Sequence, residues 1–166
     1  MARLGAPTTS LPAAAGIKVG IVGARWHEAI VDDLIRGAEL ALTESGATDI
    51  VQLRVAGAFE LPVVVADLAR TGFDVAVALG VVVRGETPHF DYICQAVSIG
   101  LTTIATTFGV PVGFGVLTCE TVEQAQARAR WPARDQNKGY EATVAALAAR
   151  LVLSGVGAST PSPLHA

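Results

Sequence analysis

Val75-Ala76-Val77-Ala78-Leu79-Gly80-Val81-Val82-Val83-Arg84-Gly85-Glu86-Thr87-Pro88-His89-Phe90-Asp91-Tyr92 decides the fold. Its opening is continuously apolar, so Val75–Val82 reads as a central strand covered on both faces. A glycine-bearing turn, Arg84–Pro88, then passes the chain to a helix from about His89 to Thr106. Backbone N–H groups at such a helix start lack partners and the helix dipole adds partial positive charge, which makes the turn a natural anion site. Gly85 allows close backbone approach, Pro88 fixes the turn, and His89 brings an imidazole of the kind that exchanges protons near neutral pH. The residues alone leave His89 open between a functional and an ordinary histidine.

The same strand-then-helix unit repeats on either side. Lys18–Gly23 reads as a buried strand, followed by a helix over Trp26–Leu42 with Ile30, Leu34, Ala38 and Leu42 at helical spacing. Ile50–Val55 and Leu61–Arg70 form the second pair, with Pro62 tolerated in the first helical turn because its missing N–H would have been unpaired there. Gly109-Val110-Pro111 ends the third helix before a strand at Val112–Leu117. Glu120–Arg130 is helical in pattern, with Thr121 as N-cap and Gln124 at capping-box distance. Trp131-Pro132 breaks it, Asp135–Gly139 forms a polar loop, and Tyr140–Leu153 is a final Ala/Leu helix. Four strands alternating with helices predict an α/β sandwich on a largely parallel sheet. Met1–Gly16 is expected to be a flexible arm, 17–153 the folded domain, and Ser154–Ala166 a disordered tail.

In 166 residues, 51% are hydrophobic and only 16% charged, against roughly 25% charged in an ordinary soluble domain. So few charges predict a homo-oligomer. A net charge of −3 with scattered arginines offers no basic surface to nucleic acid. No apolar stretch is long enough to span a membrane without a Gly, Pro or charge, and the amino-terminal segment lacks the apolar core of a signal peptide. Cys94 and Cys119 are too few for a zinc site or disulfide framework and read as buried thiols in a reducing cytoplasm.

Ligands in parallel α/β sheets bind beyond the carboxyl ends of the strands. Trp26-His27, Gly57-Ala58-Phe59-Glu60, Arg84–His89 and Phe114–Thr118 all fall in or near such ends. Gly20-Ile21-Val22-Gly23-Ala24 lacks the spacing of a dinucleotide turn, and no phosphate-loop motif is present. Trp26 reads as a stacking platform for a flat heterocycle or a cap on the core, the residues alone favouring the cap. Glu60 is open between a ligand acceptor and a helix-dipole carboxylate, and His27 reads as a surface histidine. Arg128 and Lys138 read equally as solvated cations, although solvation alone does not account for an Asn137-Lys138-Gly139 turn ahead of an apolar helix.

Gly57–Pro62, Gly80–Tyr92, Phe114-Gly115-Val116-Leu117-Thr118, Glu123-Gln124-Ala125 and Asn137-Lys138-Gly139, in this order and separation, resemble the 6,7-dimethyl-8-ribityllumazine synthase family over roughly Lys18–Leu151. The resemblance implies a flavodoxin-like three-layer α/β/α sandwich. It also implies a step of riboflavin synthesis: 5-amino-6-(D-ribitylamino)uracil condenses with 3,4-dihydroxy-2-butanone 4-phosphate, releasing phosphate and water without a cofactor or metal. By the same resemblance Trp26 stacks on the pyrimidine, Ala58, Phe59 and Glu60 bind the ribityl chain, and Val81, Val82 and Val83 line the heterocycle. Gly85, Glu86 and Thr87 cradle phosphate, and His89 transfers protons. Phe114, Arg128 and Lys138 resemble groups reaching in from a neighbouring subunit. The family assembles as pentamers, some packed into sixty-subunit shells; the long Arg128–Lys138 spacing favours a free pentamer. The alternatives are an archaeal-type riboflavin synthase on the same fold and a lumazine-binding or shell-forming protein without turnover.

Overall fold

The computed structural model describes residues 11–158. Four strands, β1 (Lys18–Ala24), β2 (Asp49–Val55), β3 (Val75–Val83) and β4 (Val112–Cys119), form one all-parallel sheet in the order β2-β1-β3-β4. Helices α1 (Glu28–Glu44), α2 (Leu61–Arg70), α3 (His89–Phe108), α4 (Val122–Gln126) and α5 (Lys138–Ala158) connect and follow them. One apolar cluster joins α1, α4 and α5 to a sheet face through Leu34, Leu42, Val77, Leu79 and Leu147; the other joins α2 and α3 to the opposite face through Leu61, Val65, Ala78, Val97 and Leu101. The result is the expected three-layer, flavodoxin-like sandwich.

Strand position follows hydrophobic pattern. Residues 75–81 of β3 are all buried, as a strand with neighbours on both edges and helices on both faces requires. Each such Leu or Val side chain contributes about 1.5–3 kcal/mol through burial. The edge strand β4 is covered less completely, with Phe114 and Thr118 exposed among buried positions. Pairing of β1 with β3 stops at Gly23–Leu79, so Gly80–Val83 pair with β4 alone and outrun β1. Alternate N–H and C=O groups of that overhang therefore face a gap beyond β1.

Several boundaries differ from the sequence expectation. The helix expected over Glu120–Arg130 is confined to Val122–Gln126. Thr121 is indeed its N-cap, its hydroxyl accepting from the Gln124 N–H at 3.3 Å, while the Gln124 side-chain Oε1 accepts from the Glu120 N–H at 3.0 Å. The helix then stops because the chain folds back on itself: Lys138 N–H donates to Arg128 O at 2.8 Å and Ala129 bridges Asn137 antiparallel. This closure sets the path of the Arg130–Arg134 loop. At the other end of the chain α5 runs on to Ala158, so Ser154–Ala158 is helical where a disordered tail was expected. Ala14 is fully buried and its N–H donates to Ser45 O at 2.7 Å, which ties down the end of the expected flexible arm. The remainder of that arm, Met1–Ser10, and 159–166 lie outside the described residues.

The Asn137-Lys138-Gly139 turn has a structural explanation. Asn137 is 1% exposed; its Oδ1 accepts from the N–H groups of Gly139 (2.9 Å) and Tyr140 (3.2 Å), capping α5, and its Nδ2 donates to Asp33 O on α1 at 2.8 Å. A Cβ at Gly139 would stand 1.9 Å from Leu34 O, a backbone atom that cannot yield. One asparagine and one glycine thus let α5 approach α1. Asn137→Ala removes the cap and leaves the buried Gly139 N–H without its Oδ1 partner, and is expected to cost about 2–3 kcal/mol in urea denaturation at fixed protein concentration.

Asp74 secures the opposite end of the sheet. Its Oδ2 accepts from Lys18 N–H at 3.0 Å and its Oδ1 from Arg150 Nη2 at 2.9 Å, joining β1, the start of β3 and α5. Burial acts to raise its pKa, but the Lys18 N–H and the Arg150 guanidinium together outweigh that and hold it below the usual carboxylate range. A depressed folded value means that its stabilising contribution is present above the unfolded carboxylate pKa near 4 and is lost as pH falls through the lowered value. Asp74→Asn should therefore lower stability at pH 7 and flatten its loss below about pH 4, as followed by denaturation midpoints against pH.

Candidate functional site

Winding reverses between β1 and β3: the chain leaves β1 toward β2 on one side and β3 toward β4 on the other. Such a switch point opens a crevice at the carboxyl ends of the strands. A cleft of about 670 Å³ lies there, walled by Trp26 and His27 after β1, Gly57–Glu60 after β2, Val81–Val83 at the end of β3, and His89, Tyr92 and Ile93 of α3. The last three share one helix face by their i, i+3, i+4 spacing. Its walls are mostly apolar, with one carboxylate and two imidazoles among them.

Trp26 does not cap the core. It is 70% exposed, and a Cβ placed at Gly57 would meet its Cδ1 at 3.4 Å. The indole thus lies along the Gly57 backbone with open space around it, suited to stacking a flat ring. The core reading fails because the turn after β1 turns outward at His27, whose φ of 56° and ψ of 47° are left-handed. A non-glycine residue there costs about 1–3 kcal/mol. His27, expected as a surface residue, is half-buried and lines the cleft; no periodicity or motif could have disclosed a left-handed turn at a histidine.

Glu60 ends a single 3-10 turn, Ala58–Glu60, that leads into α2. Its Oε2 accepts from Gly57 N–H at 2.8 Å, so the carboxylate shapes the turn as well as facing the cleft. Ala58 is buried beneath it while Phe59 and Glu60 are exposed. Val81 is almost fully buried, and Val82 and Val83 are half-buried. His89 is exposed at the first position of α3.

The turn before His89 is held from beneath. Arg84 N–H donates to Cys119 O at 3.0 Å, its Nε to Glu120 at 2.8 Å and its Nη1 and Nη2 to Asp91 at 3.2 and 3.0 Å, while its guanidinium lies 4.2 Å from the Phe90 ring centre. The Asp91 hydrogen bonds lead in raising its pKa. With Arg84 anchored, Gly85, Glu86 and Thr87 stand exposed, and their N–H groups have no backbone partner among the described residues. None of the three lines the cleft itself.

Phe114, Arg128 and Lys138 also stand outside this wall. Phe114 lies in the middle of β4 opposite Ala78, short of the strand's carboxyl end. Arg128 Nη1 donates to Gln124 O at 2.8 Å, and Lys138 pairs with Glu141 on its own helix. Cys119 is buried and Cys94 half-buried, and burial pushes both thiols above their usual range. Among the described residues no cluster of His, Cys, Asp and Glu could hold a metal ion, and no helix is long and apolar enough to cross a membrane.

The family model described as 6,7-dimethyl-8-ribityllumazine synthase matches residues 16–153. The chain belongs to that family. Among its relatives, proteins named 6,7-dimethyl-8-ribityllumazine synthase from Kineococcus radiotolerans and Frankia casuarinae are 53% and 52% identical, over 85% and 92% of this chain and 88% and 96% of their own lengths. A lumazine synthase from Nocardioides sp. is 47% identical over 97% of this chain and all of its own. Lumazine synthase family membership thus spans the whole cleft, from the β1 turn to α3.

The Gly57–Glu60 bond separates a shaping role for Glu60 from a binding one. Glu60→Gln keeps an acceptor for the Gly57 N–H and should alter stability by only a few tenths of a kcal/mol, whereas Glu60→Ala should cost about 1 kcal/mol. Thermal denaturation of both variants checks this.

Proposed function

We propose that this chain is a transferase of riboflavin biosynthesis that condenses 5-amino-6-(D-ribitylamino)uracil with 3,4-dihydroxy-2-butanone 4-phosphate to 6,7-dimethyl-8-ribityllumazine. The observation that carries the reading is the convergence of Trp26, Glu60 and His89, from three separate turns, on one cleft in a chain of this family. A riboflavin synthase on the same fold has no support from the relatives, which carry the lumazine synthase name.

The reaction asks for orientation and proton movement rather than for a cofactor. The pyrimidine's amine attacks the ketone and water leaves to give an imine; phosphate is then eliminated to leave an enol that tautomerises to a carbonyl, and the second amine attacks that carbonyl and closes the ring with loss of a second water. Trp26 stacks on the pyrimidine. The overhanging Val81, Val82 and Val83 offer backbone N–H and C=O groups to its edge, and Ala58, Phe59 and Glu60 hold the ribityl hydroxyls. Holding two reactants in register can contribute several kcal/mol. His89, on the α3 face that lines the cleft, carries protons between the amine, the carbonyl oxygen and the leaving phosphate.

Phosphate binds on the N–H groups of Gly85, Glu86 and Thr87 at the start of α3. Because Glu86 is itself anionic, only its backbone serves, with the carboxylate turned to solvent. Phe114, Arg128 and Lys138 complete the site from a neighbouring subunit, Arg128 toward the phosphate, in a cytoplasmic homopentamer. Supporting an oligomer, Val63 of α2 and Ile99 of α3 are 67% and 58% exposed, too much apolar surface for so weakly charged a chain.

Mixing the protein with both substrates should produce lumazine absorbance well above the uncatalysed rate; tight lumazine binding without turnover would instead indicate a non-catalytic protein. His89→Ala is expected to lower kcat by up to about 10²-fold with a much smaller change in pyrimidine affinity. An unchanged kcat removes His89 from the proton path.

A further inference from the structure

The turn that presents Trp26 gains little from its own two side chains. His27 begins α1 in a left-handed conformation with no side-chain cap, and Trp26 is largely exposed, so neither residue fixes the turn by its own packing. His27 O accepts from the Ile30 and Val31 N–H groups at 2.9 and 3.1 Å and Arg25 pairs with Glu28 at 3.6 Å across the exposed surface; the half-buried support comes from β2. Arg54, on β2, is only 19% exposed at its side chain; its Nη1 donates to Ala24 O, the last carbonyl of β1, at 3.2 Å, and its Nη2 pairs with Asp32 in the second turn of α1. Arg25 N–H, one residue on, donates to Val55 O and Ala56 O at 3.0 and 3.2 Å. The guanidinium therefore spans strand end and helix, with the Trp26–His27 turn between its two points of attachment.

The neighbouring glycine borders the same side chain. A Cβ at Gly23 would meet Arg54 Nη1 at 3.1 Å and Ile35 Cδ1 at 2.8 Å. The Gly20–Ala24 run, which has no dinucleotide-turn spacing, thus includes a glycine that leaves room both for Ile35 and for a guanidinium lying across the end of β1. A half-buried arginine held by a carboxylate and a carbonyl is a rigid support, since its planar fork is pre-organised for both.

We propose that Arg54, charge-paired with Asp32, is a positioning residue for the pyrimidine half of the cleft. It sets the turn so that Trp26 stands beside Gly57 with its indole open to the cleft. Arg54 touches no substrate and acts through Trp26 and His27. The phosphate half, built on the turn that Arg84 anchors, does not depend on it. This assignment rests on the proposed condensation for the identity of the stacked ring, while the clamp itself can be read without any substrate.

The test uses the full chain with Trp131→Phe, which leaves Trp26 as the single tryptophan, and compares Arg54→Lys, Arg54→Met and Asp32→Asn. Acrylamide quenching of Trp26 and its emission anisotropy read the turn without substrate; titration with 5-amino-6-(D-ribitylamino)uracil and the two KM values read the site. Arg54→Met should change Trp26 quenching and anisotropy and weaken pyrimidine binding about tenfold, with the KM for the phosphorylated ketone within about twofold of its parent. Arg54→Lys should restore only part of the loss because it cannot span both partners. Asp32→Asn, which keeps an acceptor, should fall between the parent and Arg54→Met, and combining it with Arg54→Met should add little, the two sharing one path. Unchanged Trp26 quenching and pyrimidine affinity in Arg54→Met, or equal losses for both substrates, overturns the proposal. Should Arg54→Met fail to fold, Arg54→Lys and Asp32→Asn carry the same decision. If the parent protein forms no lumazine while Trp26 still responds to Arg54→Met, the functional reading falls and the clamp stands.

Discussion

The parallel pairing of β1 with β3 is the constraint on which the rest of the molecule depends. Because it stops at Gly23–Leu79 while β3 continues to Val83, one stretch of extended backbone is left with an open edge beside a gap. The reversal of winding at the same two strands sends β1's helix and β3's helix to opposite faces of the sheet, so nothing of the sheet fills the gap. A crevice with backbone hydrogen-bonding groups on its floor follows from topology and strand length before any functional side chain is considered.

Side chains then give the crevice its chemistry, and rigid local contacts hold them. The Gly57–Glu60 bond shapes the turn under Trp26, Arg84 fastens the turn before His89 to the end of β4, and Arg54 spans the end of β1 and the start of α1. Away from the site, the Asn137 side chain ties the start of α5 to Asp33 O of α1, and Gly139 lets the α5 backbone come against Leu34. A condensation that needs two reactants in register gains most from such fixed turns, because misplacement by a fraction of an ångström weakens an orientation effect steeply.

Hydrophobic pattern made the sheet legible in the sequence: the unbroken Val75–Val82 run could only be central, and its two-sided burial bears this out. Turns that depend on one backbone angle or one remote partner were not legible. Trp26 favoured a core cap because an indole after a buried strand usually packs inward; the left-handed angle at His27 turns it out instead. The α4 pattern overran its helix because periodicity cannot register the pairing of Ala129 with Asn137. Asn137-Lys138-Gly139 drew attention to its lysine, yet the buried asparagine and the space-making glycine explain the motif within one chain. Tyr92 and Ile93 emerged as cleft residues only when the helix face carrying His89 was known.

The central claim is that the pyrimidine lies in the crevice between Trp26 and the overhanging end of β3. A crystal structure of the protein with 5-amino-6-(D-ribitylamino)uracil tests it most directly. The ring should stack on the Trp26 indole with its polar edge on the Val81–Val83 backbone and its ribityl chain toward Glu60. Pyrimidine density elsewhere, with Trp26 unengaged and the β3 edge bare, would contradict the account.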